Sequence, residues 1–102
     1  MGYMSNATTI ANNTTGREVN HREILAILDR FSIACAKQII TTDAGLWLDL
    51  GRDRKIIVNL NDLDLFDVEV GRFNRRAMAW QIDEQVFAID AETLARTVHR
   101  MI

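Results

Sequence analysis

Apolar residues cover most of the surface of a helix-like segment over residues 20–41. An advance of about 100° per residue gathers the polar side chains on one narrow stripe, with Ile33 in its middle. That stripe consists of Arg22, Asp29, Arg30 and Lys37. Asn20 is a suitable N-cap residue, and Glu23 follows it at the spacing of a capping box. We expect one long helix here, buried partly against its own sheet and partly against another chain.

After Gly45 the pattern changes from a helical period to strict alternation, which is typical of strands. Leucines alternate in a first predicted strand, and Ile56 and Val58 continue the pattern in a second. A three-residue loop over residues 52–54 would place Leu48 opposite Val58 and Leu50 opposite Ile56, so that both apolar faces meet one core. We therefore favour that loop over a two-residue one.

The remaining segments predict further strands and a closing helix. Residues 66–70 form a third strand with an acidic outer face. Residues 77–82 and 85–89 form a hairpin around a turn at residues 83–84, with Trp80 facing Phe87. Asp90 is a suitable N-cap for a last helix whose apolar stripe ends at Met101. The predicted fold class is α+β: a long N-terminal helix, an antiparallel meander of four to five strands and a C-terminal helix, with the helices on one sheet face.

Composition narrows the possible functions. The chain has 102 residues, which suits a single domain over residues 17–102 behind a flexible polar tail over residues 1–16. A net charge of −2 lacks the basic excess of a nucleic-acid-binding protein. No signal peptide or membrane-spanning run is evident, and a lone cysteine suits a reducing compartment. We expect a cytoplasmic protein without nucleic-acid or membrane partners.

Candidate chemistry is sparse. The acidic run over residues 59–69 lacks the oxygen spacing of a calcium loop. Cys35 lies on the apolar part of the first helix and is expected to be a buried, inert thiol. His21 and His99 fall near helix ends, where exposed positions are ordinary. We therefore expect no catalytic residue, no cofactor and no metal.

Two groups of residues suggest contact surfaces instead. Basic side chains cluster in two connections, and form either a solvated loop surface or a patch for an acidic partner: Arg52, Arg54, Lys55, Arg72, Arg75 and Arg76. Trp47 and Ile57 lie on the strand face opposite the leucines, and Ile33 lies in the polar stripe. With Arg22 and Asp29 they form the predicted protein interface, whose alternative is a set of scattered exposed apolar residues.

The run NHREILAILDRFSIACAKQII, followed by GLWLDL and RKIIVNL, resembles the QslA family of small bacterial quorum-sensing antiactivators. The resemblance implies a homodimer that binds the ligand-binding domain of a LuxR-type transcription factor. Such a protein competes with the dimerisation of that factor and keeps it off promoter DNA. The family supplies no catalytic residues to transfer, and its binding residues are not matched position by position.

Three other functions stay open at this point. A small-molecule-binding domain would place a pocket between helix and sheet, lined by Phe31, Trp80 and Phe87. A small enzyme would assemble Cys35, His21 or His99 across a dimer. A structural subunit of a larger assembly would need only a complementary surface.

Overall fold

Three helices and five strands follow one another in the computed structural model, which describes residues 19–102. The predicted tail over residues 1–16 lies outside the described residues. The α+β class and the antiparallel meander are confirmed. In chain order the elements are α1 (His21–Ile27), α2 (Arg30–Cys35), β1 (Gln38–Thr41), β2 (Gly45–Gly51), β3 (Arg54–Leu60), β4 (Phe66–Asn74), β5 (Ala79–Ile89) and α3 (Ala91–Met101).

The prediction of one long N-terminal helix is wrong. Asn20 caps α1 as expected, and its side chain accepts a hydrogen bond from the Glu23 backbone N–H. The helix ends at Leu28, whose ψ of 145° is extended. Asp29 then caps α2 by accepting from the Ser32 backbone N–H at 2.8 Å. A short polar side chain that accepts a hydrogen bond from a backbone N–H further along the chain can begin a new helix. Such a residue within a helical pattern is therefore as compatible with a new helix as with continuation of the previous one.

The last part of the predicted helix is the edge strand β1. Ile39 pairs with Leu48, and Ile40 pairs with Trp47. Branching at Cβ restricts isoleucine and threonine side chains in helices and suits them to a pleated sheet. The pairing partner is supplied by β2, and this tertiary contact outweighs the helical spacing of the segment.

The strands pair antiparallel in the order β1-β2-β3-β4-β5. Leu48 lies opposite Ile56 rather than Val58, because the turn contains only Arg52 and Asp53. Both turn residues have positive φ. A register shift between Asp49 and Gly51 returns the leucines to the face of Ile56. The expectation that both apolar faces meet one core is therefore correct, although its register is not.

The predicted turn at residues 83–84 is also wrong. β5 continues through it, and the turn lies at residues 75–78 instead. A register shift opposite Val70 and Gly71 accommodates the extra residue as a bulge. Trp80 consequently lies opposite Phe73, not Phe87.

The core lies between the helices and one face of the sheet. Asp90 caps α3 as predicted, and its side chain accepts from the Thr93 backbone N–H at 2.9 Å. The predicted apolar stripe of α3 is buried. The core residues are Ile24, Leu28, Leu46, Leu48, Ile56, Val58, Phe66, Val68, Val70, Leu94, Val98 and Met101.

Candidate functional site

The sheet face opposite the helices carries a row of large apolar side chains. Directly paired residues on antiparallel strands share a face. Ile40 pairs with Trp47, Trp47 with Ile57, and Ile57 with Glu69. Because the helices pack on the other face, no element within residues 19–102 covers this one. We call it the open face, and define it by Ile40, Trp47, Ile57, Phe73, Trp80 and Ile82.

A charged side chain accompanies the first tryptophan of the open face. The Lys55 Nζ lies 5.0 Å from the Trp47 ring centroid, which is a cation–π contact. Lys55 is paired with Asp49 on β2, next to the Trp47–Ile57 pair. The lysine therefore orients the indole while the apolar ring stays at the surface.

The second tryptophan is held by a hydrogen bond and by a glycine. The Trp80 indole N–H donates to Glu69 Oε2 at 2.9 Å. A Cβ atom on Gly71 would lie 2.9 Å from Trp80 Cζ2 and 2.3 Å from the Gln81 carbonyl oxygen. Only glycine lets the ring and the β5 backbone come this close to β4.

The open face has the composition of a protein-contact surface. Tryptophan supplies a large apolar area at a small cost in side-chain entropy, and it is enriched at interaction hot spots. Ile82 and Phe73 extend the apolar row toward β5, with exposed fractions of 48% and 38%. The central charged side chains, Lys55 and Glu69, each contact a tryptophan. The arrangement suits recognition of another surface.

The five predicted interface residues fall on two sides of the sheet. Trp47 and Ile57 are brought together on the open face. Arg22, Asp29 and Ile33 belong to the helical layer, where Ile33 is half-buried against the core. Phe73, Trp80 and Ile82 were not predicted as interface residues. In β4 the odd-numbered residues share one face, so the acidic outer face predicted for this strand continues to Gly71 and Phe73. This alternation is the sequence signal that could have placed Phe73 on the open face.

Asp29 joins α2 to α3 on the helical side. The His99 Nδ1 lies 2.7 Å from Asp29 Oδ2, and the imidazole stacks on Phe31 with ring centroids 4.6 Å apart. The hydrogen bond with His99, followed by that from the Ser32 backbone N–H, lowers the pKa of Asp29 to about 2. Asp29 is thus both a helix cap and an anchor for α3.

The basic connections lie side by side at one end of the sheet. The Phe73 backbone N–H donates to the Asp53 carbonyl oxygen at 2.8 Å, and Arg75 binds the Asp53 carboxylate through two nitrogens. The Arg75 guanidinium lowers the pKa of that carboxyl group. Arg54 donates to the Met101 carbonyl oxygen, at the end of α3. Much of the predicted basic cluster therefore links elements of this chain.

The pocket expected between helix and sheet is not formed by its predicted lining. Phe31 stacks on His99 in the helical layer, and Trp80 lies on the open face, so the sheet separates them.

Cys35 is half-buried rather than buried. His21 contacts the Thr42 carbonyl oxygen and His99 contacts Asp29, so the two histidines serve different contacts.

The described part of the chain has neither a metal-binding cluster nor a membrane-spanning helix. Residues 19–102 hold no group of three or more His, Cys, Asp or Glu side chains arranged to bind a metal ion. None of the helices in this range has the length and apolar character needed to cross a membrane.

Comparison of the chain with protein-family models, curated proteins and solved structures gives no match in any of the three. Residues 19–102 form an α+β domain in which no described element covers the open face of the sheet.

Proposed function

We propose that this chain is a non-enzymatic regulatory protein of the cytoplasm that uses its open face to bind the ligand-binding domain of a LuxR-type transcription factor. In this proposal it acts as a homodimer, blocks dimerisation of the factor and so prevents its binding to DNA. The resemblance to quorum-sensing antiactivators names the partner. The observation that carries a role in protein contact is the Trp47–Ile57 pair, on a sheet face that no described element covers.

The open face is large enough for such a role. Five strands about 4.8 Å apart, each about seven residues long at about 3.3 Å per residue, span roughly 550 Å² in projection. A standard protein interface buries about 800 Å² of accessible surface on each partner. Protruding side chains such as Trp47 and Ile82 raise the accessible area above the projected one. A domain seated on this face would therefore approach an ordinary interface area.

The charge pattern of the face adds specificity. Lys55 and Glu69 lie near the centre, and each is already held by a tryptophan. Pre-oriented charges within an apolar surface penalise partners whose charges do not match. A transcription factor covered at its own dimerisation surface loses the paired arrangement that two DNA half-sites require.

Size-exclusion chromatography with light scattering tests the proposal directly. The chain is mixed with the ligand-bound domain of a LuxR-type regulator, and the mass of the complex is compared for wild type and Ile57→Lys. The new lysine would lie opposite Glu69, which favours the folded sheet, while the apolar centre of the open face is lost. We expect a stable complex with wild type and at least about a tenfold weaker one with the variant.

Leu63→Lys is the matched control. Leu63 lies in the β3–β4 connection and is 74% exposed, so the substitution makes the same chemical change away from the open face. It should leave the complex intact. A regulator domain that ignores the wild-type chain would overturn the choice of partner. Equal binding by wild type and Ile57→Lys would overturn the choice of surface.

A further inference from the structure

The outer edge of β5 has no strand partner among residues 19–102. β5 stands at one end of the strand order and pairs only with β4. It is an 11-residue strand, whereas β1 at the other edge has only four residues. A long edge presents backbone N–H and C=O groups that another strand can pair with. Ile82 and Phe87 add exposed apolar side chains to this strand.

Charge is distributed along this edge in a self-complementary way. Arg76 lies in the turn before β5, and Glu92 lies in the first turn of α3, just after its end. Arg75 and Asp90 lie next to them but are engaged within the chain, Arg75 by the Asp53 carboxylate and Asp90 by the Thr93 backbone N–H. One end of the edge is therefore basic and the other is acidic. Two strands that pair antiparallel would bring each basic end beside the acidic end of the other.

The acidic residues in the middle of β5 are compensated within the chain. Asp83 forms an ion pair with Arg72 at 3.3 Å, and Glu84 forms one with Arg100 at 2.7 Å. Two copies that meet at this point would therefore not face each other with unpaired carboxylates. The middle of the edge is close to neutral, and the charges that a second copy would meet are Arg76 at one end and Glu92 at the other.

We infer that a second copy of this chain pairs antiparallel along β5, which joins two five-stranded sheets into one of ten strands. A two-fold axis near the middle of the strand runs the two β5 strands past each other in opposite directions, and the bulges near Asp83 and Ala88 interrupt the pairing in each copy. The turn that carries Arg76 in one copy then lies toward the start of α3, and so toward Glu92, in the other, and the symmetry repeats the contact. This inference rests on the homodimer of the proposed function and names its surface.

Such a dimer leaves both open faces available. Edge-to-edge antiparallel pairing has its two-fold axis perpendicular to the sheet, so both helical layers lie on one side. The two sets of Trp47 and Ile57 then share the opposite side. A dimer would therefore present one wide apolar surface, and self-association would not compete with partner binding.

Sedimentation equilibrium of the full chain tests this dimer through charge exchange. Arg76→Glu and Glu92→Lys each place like charges together at both ends of the interface. Each single variant should raise the dimer dissociation constant about tenfold or more, since symmetry counts every contact twice. The double variant Arg76→Glu/Glu92→Lys restores opposite charges and should dimerise like wild type. Circular dichroism checks that every variant is folded.

Arg30→Glu and Asp43→Lys are the matched controls, because they make the same charge changes at exposed positions away from β5. Both should dimerise like wild type. A monomeric wild-type chain, masses that grow beyond two copies, or a double variant no better than the singles would each overturn the inference. A monomer that still binds the regulator would leave the proposed function standing, whereas a β5 dimer that ignores the regulator would leave only this inference.

Discussion

Gly71→Ala tests whether the close contact of β4, β5 and Trp80 shapes the open face. The added Cβ would lie 2.3 Å from the Gln81 carbonyl oxygen, against an ordinary C···O contact of about 3.3 Å. The β5 backbone must therefore move by about 1 Å. The same Cβ meets Trp80 Cζ2 at 2.9 Å, so the indole must also shift, which disturbs its hydrogen bond to Glu69.

The size of the effect follows from these two displacements. Forcing an extra methyl group into a packed site costs about 1–3 kcal/mol. Weakening the bond between Trp80 and Glu69, or one ladder bond between β4 and β5, adds about 1 kcal/mol. We expect Gly71→Ala to lower the free energy of unfolding by about 2–4 kcal/mol, a large fraction of the 5–15 kcal/mol typical of a domain.

Urea unfolding followed by tryptophan fluorescence and circular dichroism measures this loss. A double-mutant cycle with Trp80→Leu separates the two causes, because removing the ring relieves its clash but leaves that with the Gln81 carbonyl oxygen. The substitution should then cost less in the Trp80→Leu background than in wild type. A Gly71→Ala protein within about 0.5 kcal/mol of wild type would refute the close packing of β4 against β5.

Two further predictions concern the helical layer. The folded protein keeps Asp29 ionised to lower pH than the unfolded chain does, so its contribution to stability is present above about pH 4 and is lost as pH falls toward about pH 2. Asp29→Asn retains a capping side chain, and should make unfolding stability, measured by urea titration, fall less steeply across that pH range; an unchanged slope would contradict the role of His99. Leu94→Ala removes a fully buried side chain from α3 and should cost about 2–5 kcal/mol in the same assay, whereas a loss below 1 kcal/mol would show that α3 does not close the core.

The alternation of side chains along the sequence predicted most of the sheet, because the two faces of the sheet differ strongly in burial. Leu46 and Leu48 alternate with Trp47 and Asp49, and burial follows that alternation in the structure. The last helix was equally predictable, since Asp90 supplies a cap and Leu94 begins a regular stripe. In these segments, local preference and tertiary packing favour the same element.

The errors arose where two elements fit one stretch of sequence. The helical spacing continues through Asp29 to Ile40, and only the capping bond of Asp29 and the pairing of Ile40 with Trp47 break it. Asp83 and Glu84 interrupt the alternation of apolar residues, which suggests a turn. In the structure β5 continues through them, and a bulge accommodates the residue that has no partner on β4. Both outcomes depend on contacts with distant strands, which the periodicity of a single segment does not record.

The candidate site was predictable only in part for the same reason. Trp47 and Ile57 each alternate with the buried residues of their strand, so alternation alone places them on one face. Both were predicted as interface residues from the sequence. Ile33 was placed with them because a continuous helix would expose it, but the break at Asp29 turns it toward the core. Trp80 lies on the open face because β5 is continuous and places Trp80 opposite Phe73. The predicted hairpin did not contain this pair.

The meander also determines how this chain reaches its native state. Each strand pairs with its neighbour in sequence, so every hairpin closes a short loop and can form before distant segments meet. The contact between α1 and α3 is different, because it joins segments near opposite ends of the described chain. A nascent chain can therefore assemble its sheet as the strands emerge from the ribosome, but α1 can cover only part of the apolar side of that sheet, and the rest stays uncovered until α3, the last described element, has been synthesised.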